Sequence, residues 1–253
     1  MSFRSAGFRP AVFGTALTLM FALPAGAALA QAGTPATAST AAAPAAAAVA
    51  AAPPPAQVAL RPGDAKIGQA KAAVCGACHG LDGNSVAPQF PKLAGQNAQY
   101  IVRQLTDFKS GKRQNPIMLG MATPLSTQDM RDVAAYFSSK KSLPGVADQA
   151  LVERGQTLFR EGDPAQGVPA CMACHSIDGR GNPGAMYPQL AGQHAQYVEA
   201  TLKAWHDGTS WGDDAHSRIM PTIARKLDAN DIAAVASYVE GLHGVGSTTA
   251  AAP

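Results

Sequence analysis

Aromatic residues make up only 6% of this 253-residue chain, and alanine carries much of its 47% apolar content. Small domains so poor in aromatics bury little core by themselves, so another source of apolar bulk is expected. Cysteine is equally scarce: the four present all fall in two Cys-x-x-Cys-His pentads. The chain has no basic run, and a formal net charge of +3 is too small to point to nucleic acid. Large apolar residues are missing from Ala32 to Ala59 apart from Val49 and Val58, so this stretch cannot build a core. Its alanines and prolines, including Pro44 and Pro53-Pro54-Pro55, favour extended, semi-rigid chain. Residues 31–63 therefore read as a disordered Ala/Pro-rich tether, and 247–253 as a disordered tail.

What is present begins with an export signal. Arg4 and Arg9 precede the apolar stretch Ala11 to Leu23, and Ala28-Leu29-Ala30 fits a small-residue cleavage site. Residues 1–30 are read as a signal peptide cleaved after Ala30, which places the remainder in the periplasm. The alternative is an uncleaved anchor helix from Ala11 to Ala30, a span nominally long enough to cross a bilayer but interrupted by Pro24 and Gly26.

The remaining chain is one unit written twice. Cys75-Gly-Ala-Cys78-His79 returns as Cys171-Met-Ala-Cys174-His175, and Pro91-Lys-Leu-Ala-Gly-Gln96 returns as Pro188-Gln-Leu-Ala-Gly-Gln193. Tyr100 matches Tyr197, Met118 matches Met220, and Tyr136 matches Tyr238, in unbroken order. Two domains follow, 64–143 and 149–246, joined by a linker at 144–148. Each reads as mostly helical with long loops, so the fold class is all-α. Helices are predicted near 65–74, 97–109 and 126–139, then near 149–159, 194–206 and 228–242. Ser126 and Asp228 read as N-caps, with Asp129 and Asp231 three residues on. In the last helix Ile232, Val235, Tyr238 and Val239 share one apolar face.

Cys-x-x-Cys-His is the attachment signature of c-type haem. Thiols one helical turn apart reach the two vinyl groups on one side of the porphyrin, and the adjacent histidine then lies under the iron. Covalent attachment also holds the group in a domain too small to retain it by packing. The alternatives explain less. A disulfide framework does not account for the histidines. A zinc site would need the two motifs together, although a full domain separates them. A thioredoxin-type pair would need a βαβ setting. The cofactor reading is two covalently bound haem c, through Cys75 and Cys78 in one half and Cys171 and Cys174 in the other, with His79 and His175 as axial ligands.

Methionine is the expected sixth ligand in an electron-carrying cytochrome c. The repeat selects among the candidates: Met118 aligns with Met220, whereas Met121 and Met130 align with Ile223 and Ile232. Met118 and Met220 are assigned as distal ligands, with Met121 the serious rival. The backbone carbonyls of Pro91 and Pro188 are candidate acceptors for the second ring N–H of each histidine; a turn-shaping role is the competing reading. His194 replaces Asn97, so its place does not demand imidazole, and His206, His216 and His243 are read as surface residues. Trp205 and Trp211 are expected to pack around the second haem.

From Asp64 to Gly244 these motifs resemble the cytochrome c4 family of dihaem cytochromes. The resemblance rests on Val74-Cys-Gly-Ala-Cys-His-Gly-Leu-Asp-Gly-Asn84, Phe90-Pro-Lys-Leu-Ala-Gly-Gln96 and the closing Tyr238-Val-Glu-Gly-Leu-His243. It implies two tandem cytochrome c domains, each wrapped around one haem near the domain interface, with both irons ligated by histidine and methionine. It also implies single-electron transfer from respiratory donors toward a terminal haem–copper oxidase, with redox proteins as partners and no small-molecule substrate. The long tether departs from the family's short N-terminus and leaves peripheral membrane association open. A charge asymmetry fits a directional carrier: Asp64 to Gly145 holds 10 basic against 5 acidic side chains, and Val146 to Gly246 holds 7 against 12. The alternative function is an electron-accepting subunit of a larger dehydrogenase, such as a flavocytochrome c sulfide dehydrogenase. A dihaem peroxidase is disfavoured, because it needs a displaceable iron position and the methionines are paired.

Overall fold

The computed structural model describes residues 60–243. The expected signal peptide, the tether up to residue 59 and the tail at 247–253 lie outside the described residues.

Among the described residues ten helices form two successive sets of five, in the same order. The first set is α1 (Ala65–Lys71), α2 (Gly76–His79), α3 (Ala98–Lys109), α4 (Pro116–Ala122) and α5 (Thr127–Ser138). The second is α6 (Val152–Arg160), α7 (Met172–His175), α8 (Ala195–His206), α9 (Ile219–Ala224) and α10 (Ala229–Gly241). Among the described residues the only β pairings are isolated bridges, Asp163 with Val168 and Asn182 with Tyr187. No described helix is long and apolar enough to cross a membrane.

The helices α1, α3, α5, α6, α8 and α10 fall where the sequence places them, and their ends have local causes. Asp64 caps α1 by accepting from the N–H groups of Lys66 and Ile67. Ser126 and Asp129 complete a capping box on α5, and Asp228 accepts from the Asp231 N–H at the start of α10. The other four helices were not predicted. Two of them carry the Cys-x-x-Cys-His pentads and two carry Met118 and Met220, in runs too short to show a period. At α4 the cause is readable afterwards: Asn115 accepts from the Met118 N–H and Pro116 occupies the first turn.

In each half the last helix packs against both the first and the third, α5 against α1 and α3, and α10 against α6 and α8. Ile101, Leu105, Phe108, Met130, Val133 and Phe137 form one core; Leu158, Phe159, Leu202, Ile232, Val235 and Val239 form the other. The predicted α10 face is thus the core face. The helix crossings are close because each is built on a glycine. A Cβ at Gly68 would overlap the carbonyl oxygen of Asp132, and one at Gly155 would overlap that of Ala234.

The halves are also joined to each other. Arg103 of α3 pairs with Asp214 at 2.9 Å and donates to the Ser217 hydroxyl at 3.0 Å. Lys112 lies 3.8 Å from Asp213. Arg113 stacks on Trp211, 3.3 Å from the ring centroid, and donates to the Tyr197 hydroxyl at 2.9 Å. Basic residues of the first half therefore meet acids and aromatics of the second. Part of the charge asymmetry holds the halves together. The segment between them is fastened as well, by Leu143 N–H to Asn84, Lys92 Nζ to the Leu143 carbonyl, and Gly145 N–H to the Glu240 carbonyl.

Candidate haem sites

Each Cys-x-x-Cys-His pentad forms a single helical turn, α2 or α7, that brings its cysteines and its histidine to one wall of a cavity. The cavity is continuous across both halves and measures about 480 Å³. Cys75, Cys78, His79 and Met118 line it from one half, and Cys171, Cys174, His175 and Met220 line it from the other. All eight predicted site residues are therefore on one cavity. Its other walls are largely apolar, supplied by core residues such as Leu93, Phe137, Leu158 and Val235. An apolar prosthetic group in such a space would supply the bulk that the sparse aromatics do not.

Each pentad histidine is fixed through its Nδ1. His79 Nδ1 lies 2.8 Å from the Pro91 carbonyl oxygen and His175 Nδ1 lies 3.0 Å from that of Pro188. A carbonyl can only accept, so Nδ1 carries the proton and Nε2 of the neutral ring presents its lone pair. Burial lowers both imidazole pKa values, against the opposing pull of the same carbonyls, and so favours the neutral ring that a metal requires. An aromatic ring precedes each proline and packs on the histidine, Phe90 on His79 at 6.2 Å and Tyr187 on His175 at 5.9 Å. Sequence reasoning passed over this aromatic–proline pair, although the repeat shows it twice.

No disulfide joins Cys75, Cys78, Cys171 or Cys174, so the disulfide framework is not the one this structure takes. Burial pushes the Cys75 thiol up and that of Cys171 to about 11, opposite to the lowered pKa of a reactive redox pair. Among the described residues no group of three or more His, Cys, Asp or Glu gathers as a metal-ion cluster. Trp205 Nε1 is buried, lines the cavity and has no acceptor among the described residues. Haem propionates are the kind of acceptor it lacks, so the chain fits the group.

The methionines differ in burial and place. Met118 and Met220 are half-buried and packed on their cores, whereas Met130 is itself core, 3% exposed, and accepts from the Thr106 hydroxyl. Met121 also reaches the cavity wall but is 44% exposed. Trp205 and Trp211 pair at 4.5 Å on the cavity wall, as expected, with Arg113 of the first half laid over Trp211.

One histidine departs from its expected place, and another meets partners that the repeat does not show. His216 is not a surface residue; it lines the cavity, stacks on Tyr187 at 5.3 Å and bonds the Ala185 carbonyl through Nε2 at 3.0 Å. His194 is buried between the halves, with Nε2 at 2.8 Å from the Ser85 carbonyl and Nδ1 at 3.4 Å from Glu240. Its counterpart Asn97 instead donates to the Tyr187 carbonyl at 2.7 Å. The repeat hides this difference, because the same position meets different partners across the interface.

Comparison with known proteins agrees with the geometry. The cytochrome c family model matches residues 65–141 and again 152–243. A cytochrome c4 of Pseudomonas aeruginosa is 54% identical over 180 residues, covering 71% of this chain and 89% of that protein. A thiosulfate dehydrogenase electron acceptor of Thiomonas intermedia is 40% identical over 174 residues, covering 67% and 78%. The crystal structure of reduced recombinant cytochrome c4 from Pseudomonas stutzeri superposes with a TM-score of 0.69 at 49% identity, covering 72% of this chain and all of that one. A duplicated helical fold, two haem-attachment pentads on one cavity and these relatives converge: the chain belongs to the cytochrome c4 family, electron-transfer proteins rather than enzymes, and carries two covalent haem c.

Proposed function

We propose that the chain is a periplasmic carrier of single electrons from respiratory donors to a terminal haem–copper oxidase. In this reading thioethers form at Cys75, Cys78, Cys171 and Cys174, and the irons are ligated by His79 with Met118 and by His175 with Met220. Bound haem supplies the one-electron couple. The protein binds and orients it, excludes water with apolar walls, and holds each Nδ1–H in a hydrogen bond to a proline carbonyl. A paired thioether on each iron raises its potential, as an oxidase donor requires.

The observation that carries the proposal is the single cavity reached by both pentads. Two redox groups within one enclosure exchange electrons without leaving the chain, so a donor at one half can serve an acceptor at the other. Cleavage after Ala30, domains at 64–143 and 149–246 and a linker at 144–148 belong to the same reading.

The test is reoxidation of the reduced protein by membranes containing a haem–copper oxidase. Cyanide-sensitive oxygen uptake that depends on the protein is expected. Absence of uptake, with rapid reduction by a dehydrogenase, would favour the second reading: an electron acceptor for a periplasmic dehydrogenase. That reading draws on the thiosulfate dehydrogenase electron acceptor, 40% identical to this chain.

A further inference from the structure

The Ala-Gly-Gln of each half turns through a left-handed glycine, Gly95 with φ 73° and Gly192 with φ 75°, and sends the following glutamine across the interface. Gln193 Oε1 accepts from the Lys92 N–H at 2.8 Å, and its Nε2 donates to the Lys92 carbonyl at 2.9 Å. In mirror fashion Gln96 Oε1 accepts from the Gln189 N–H at 2.8 Å and Nε2 donates to the Gln189 carbonyl at 3.0 Å. Both glutamines are buried, 6% and 7% exposed, so the bonds are shielded from water.

The peptide groups held this way are the ones that hold the histidines. The Lys92 N–H belongs to the same planar unit as the Pro91 carbonyl, which accepts from His79. The Gln189 N–H shares a unit with the Pro188 carbonyl, which accepts from His175. Each amide is conjugated, so an acceptor on its N–H draws the proton outward and leaves the carbonyl a stronger acceptor, as in any chain of polarised hydrogen bonds. A stronger carbonyl makes the histidine a more basic ligand, which favours the ferric iron.

We infer that Gln193 and Gln96 are reciprocal positioning residues, each tuning the reduction potential of the haem in the opposite half. The inference rests on His79 and His175 being the axial histidines. It gives the two halves a coupling that passes through hydrogen bonds alone: the first half reads the second through Gln193, and the second reads the first through Gln96.

The experiment uses the full-length holoprotein with Gln193→Met, Gln96→Met and Gln193→Glu. Haem methyl NMR signals, assigned by contacts to each half's own residues, follow the two potentials separately. Gln193→Met should raise the potential of the first haem and leave the second nearly unchanged. A shift of about threefold in its one-electron equilibrium, roughly 28 mV at ~59 mV per tenfold, is expected. Gln96→Met should do the converse. Gln193→Glu keeps an acceptor oxygen and should not raise the first haem. No shift, or equal shifts at both haems, or a shift confined to the variant's own half, would overturn the inference. If Gln193→Met does not fold, the mirror variant decides. Failure of the underlying ligand reading has its own signature: in the unaltered protein, the His79 or His175 ring proton would show no shift from the iron.

Discussion

Replacing Gly155 with alanine tests the helix crossing on which the second half is built. In an ordinary helix interior this change stabilises, because alanine is favoured over glycine by about 1 kcal/mol. Here the added Cβ would overlap the Ala234 carbonyl oxygen and stand 2.6 Å from Tyr238 Cβ and 2.9 Å from the Ala234 carbonyl carbon. Relaxed carbon contacts are about 3.5–4.0 Å, so α6 and α10 must part by roughly 1 Å. Backbone lies on both sides of the clash, so no side chain can swing away. Overpacking of this kind costs about 1–3 kcal/mol, and the rigid surroundings argue for the upper end. Less the propensity gain, a net loss of about 2 kcal/mol remains. For a half of this size each kcal/mol is worth about 4–8 °C, so the melting temperature should fall by roughly 10 °C. Gly120 in α4 is the control: a Cβ there meets nothing within 4 Å, and Gly120→Ala should be neutral or stabilising by up to about 1 kcal/mol. Thermal unfolding followed by far-UV circular dichroism on both holoproteins decides it. A Gly155→Ala protein that melts at or above the unaltered one would refute the crossing geometry.

Acid–acetone extraction should leave all haem on the polypeptide, and the mass should show two haem additions; one addition would contradict the paired pentads. Met118→Ala should lower the potential of the first haem and abolish its thioether charge-transfer band, Met220→Ala should do the same to the second, and Met121→Leu should be nearly silent. Loss of one band in Met121→Leu with retention in Met118→Ala would reverse the assignment. Hydrogen bonds from the Ser217 backbone and hydroxyl, with Arg103 beside them, hold the Asp214 carboxyl at about 2. A depressed carboxylate contributes fully above the unfolded value near ~3.9 and loses its contribution as pH falls through the folded one. Thermal unfolding should therefore show a small loss of stability from this carboxylate between about pH 4 and pH 2. Asp214→Asn should be slightly less stable at neutral pH, with a weaker response to acid over that window.

Much of this molecule was legible in one sequence because duplication supplied an internal control. The pentads, six of the helices and the capping residues Ser126 and Asp228 all come from local chemistry that recurs at matched positions. Side chains in such motifs act on neighbours a turn away, so spacing alone reports them. The proline carbonyls were within reach for the same reason, a fixed loop after each histidine.

What the sequence left undetermined lies where the two copies touch. Repetition says what is common to both halves and nothing of how one meets the other. His194 and Asn97 look interchangeable by alignment, yet one bonds Ser85 and Glu240 and the other a backbone carbonyl. Arg103, Arg113 and Asp214 read as scattered surface charge until the fold sets them in one interface. Gly68 and Gly155 acquire a role only where a second helix lies against them. Local periodicity, caps and cofactor spacing were settled within each repeat. The shared cavity, the crossings and the glutamine links needed tertiary structure, because each depends on atoms tens of residues apart meeting at one distance.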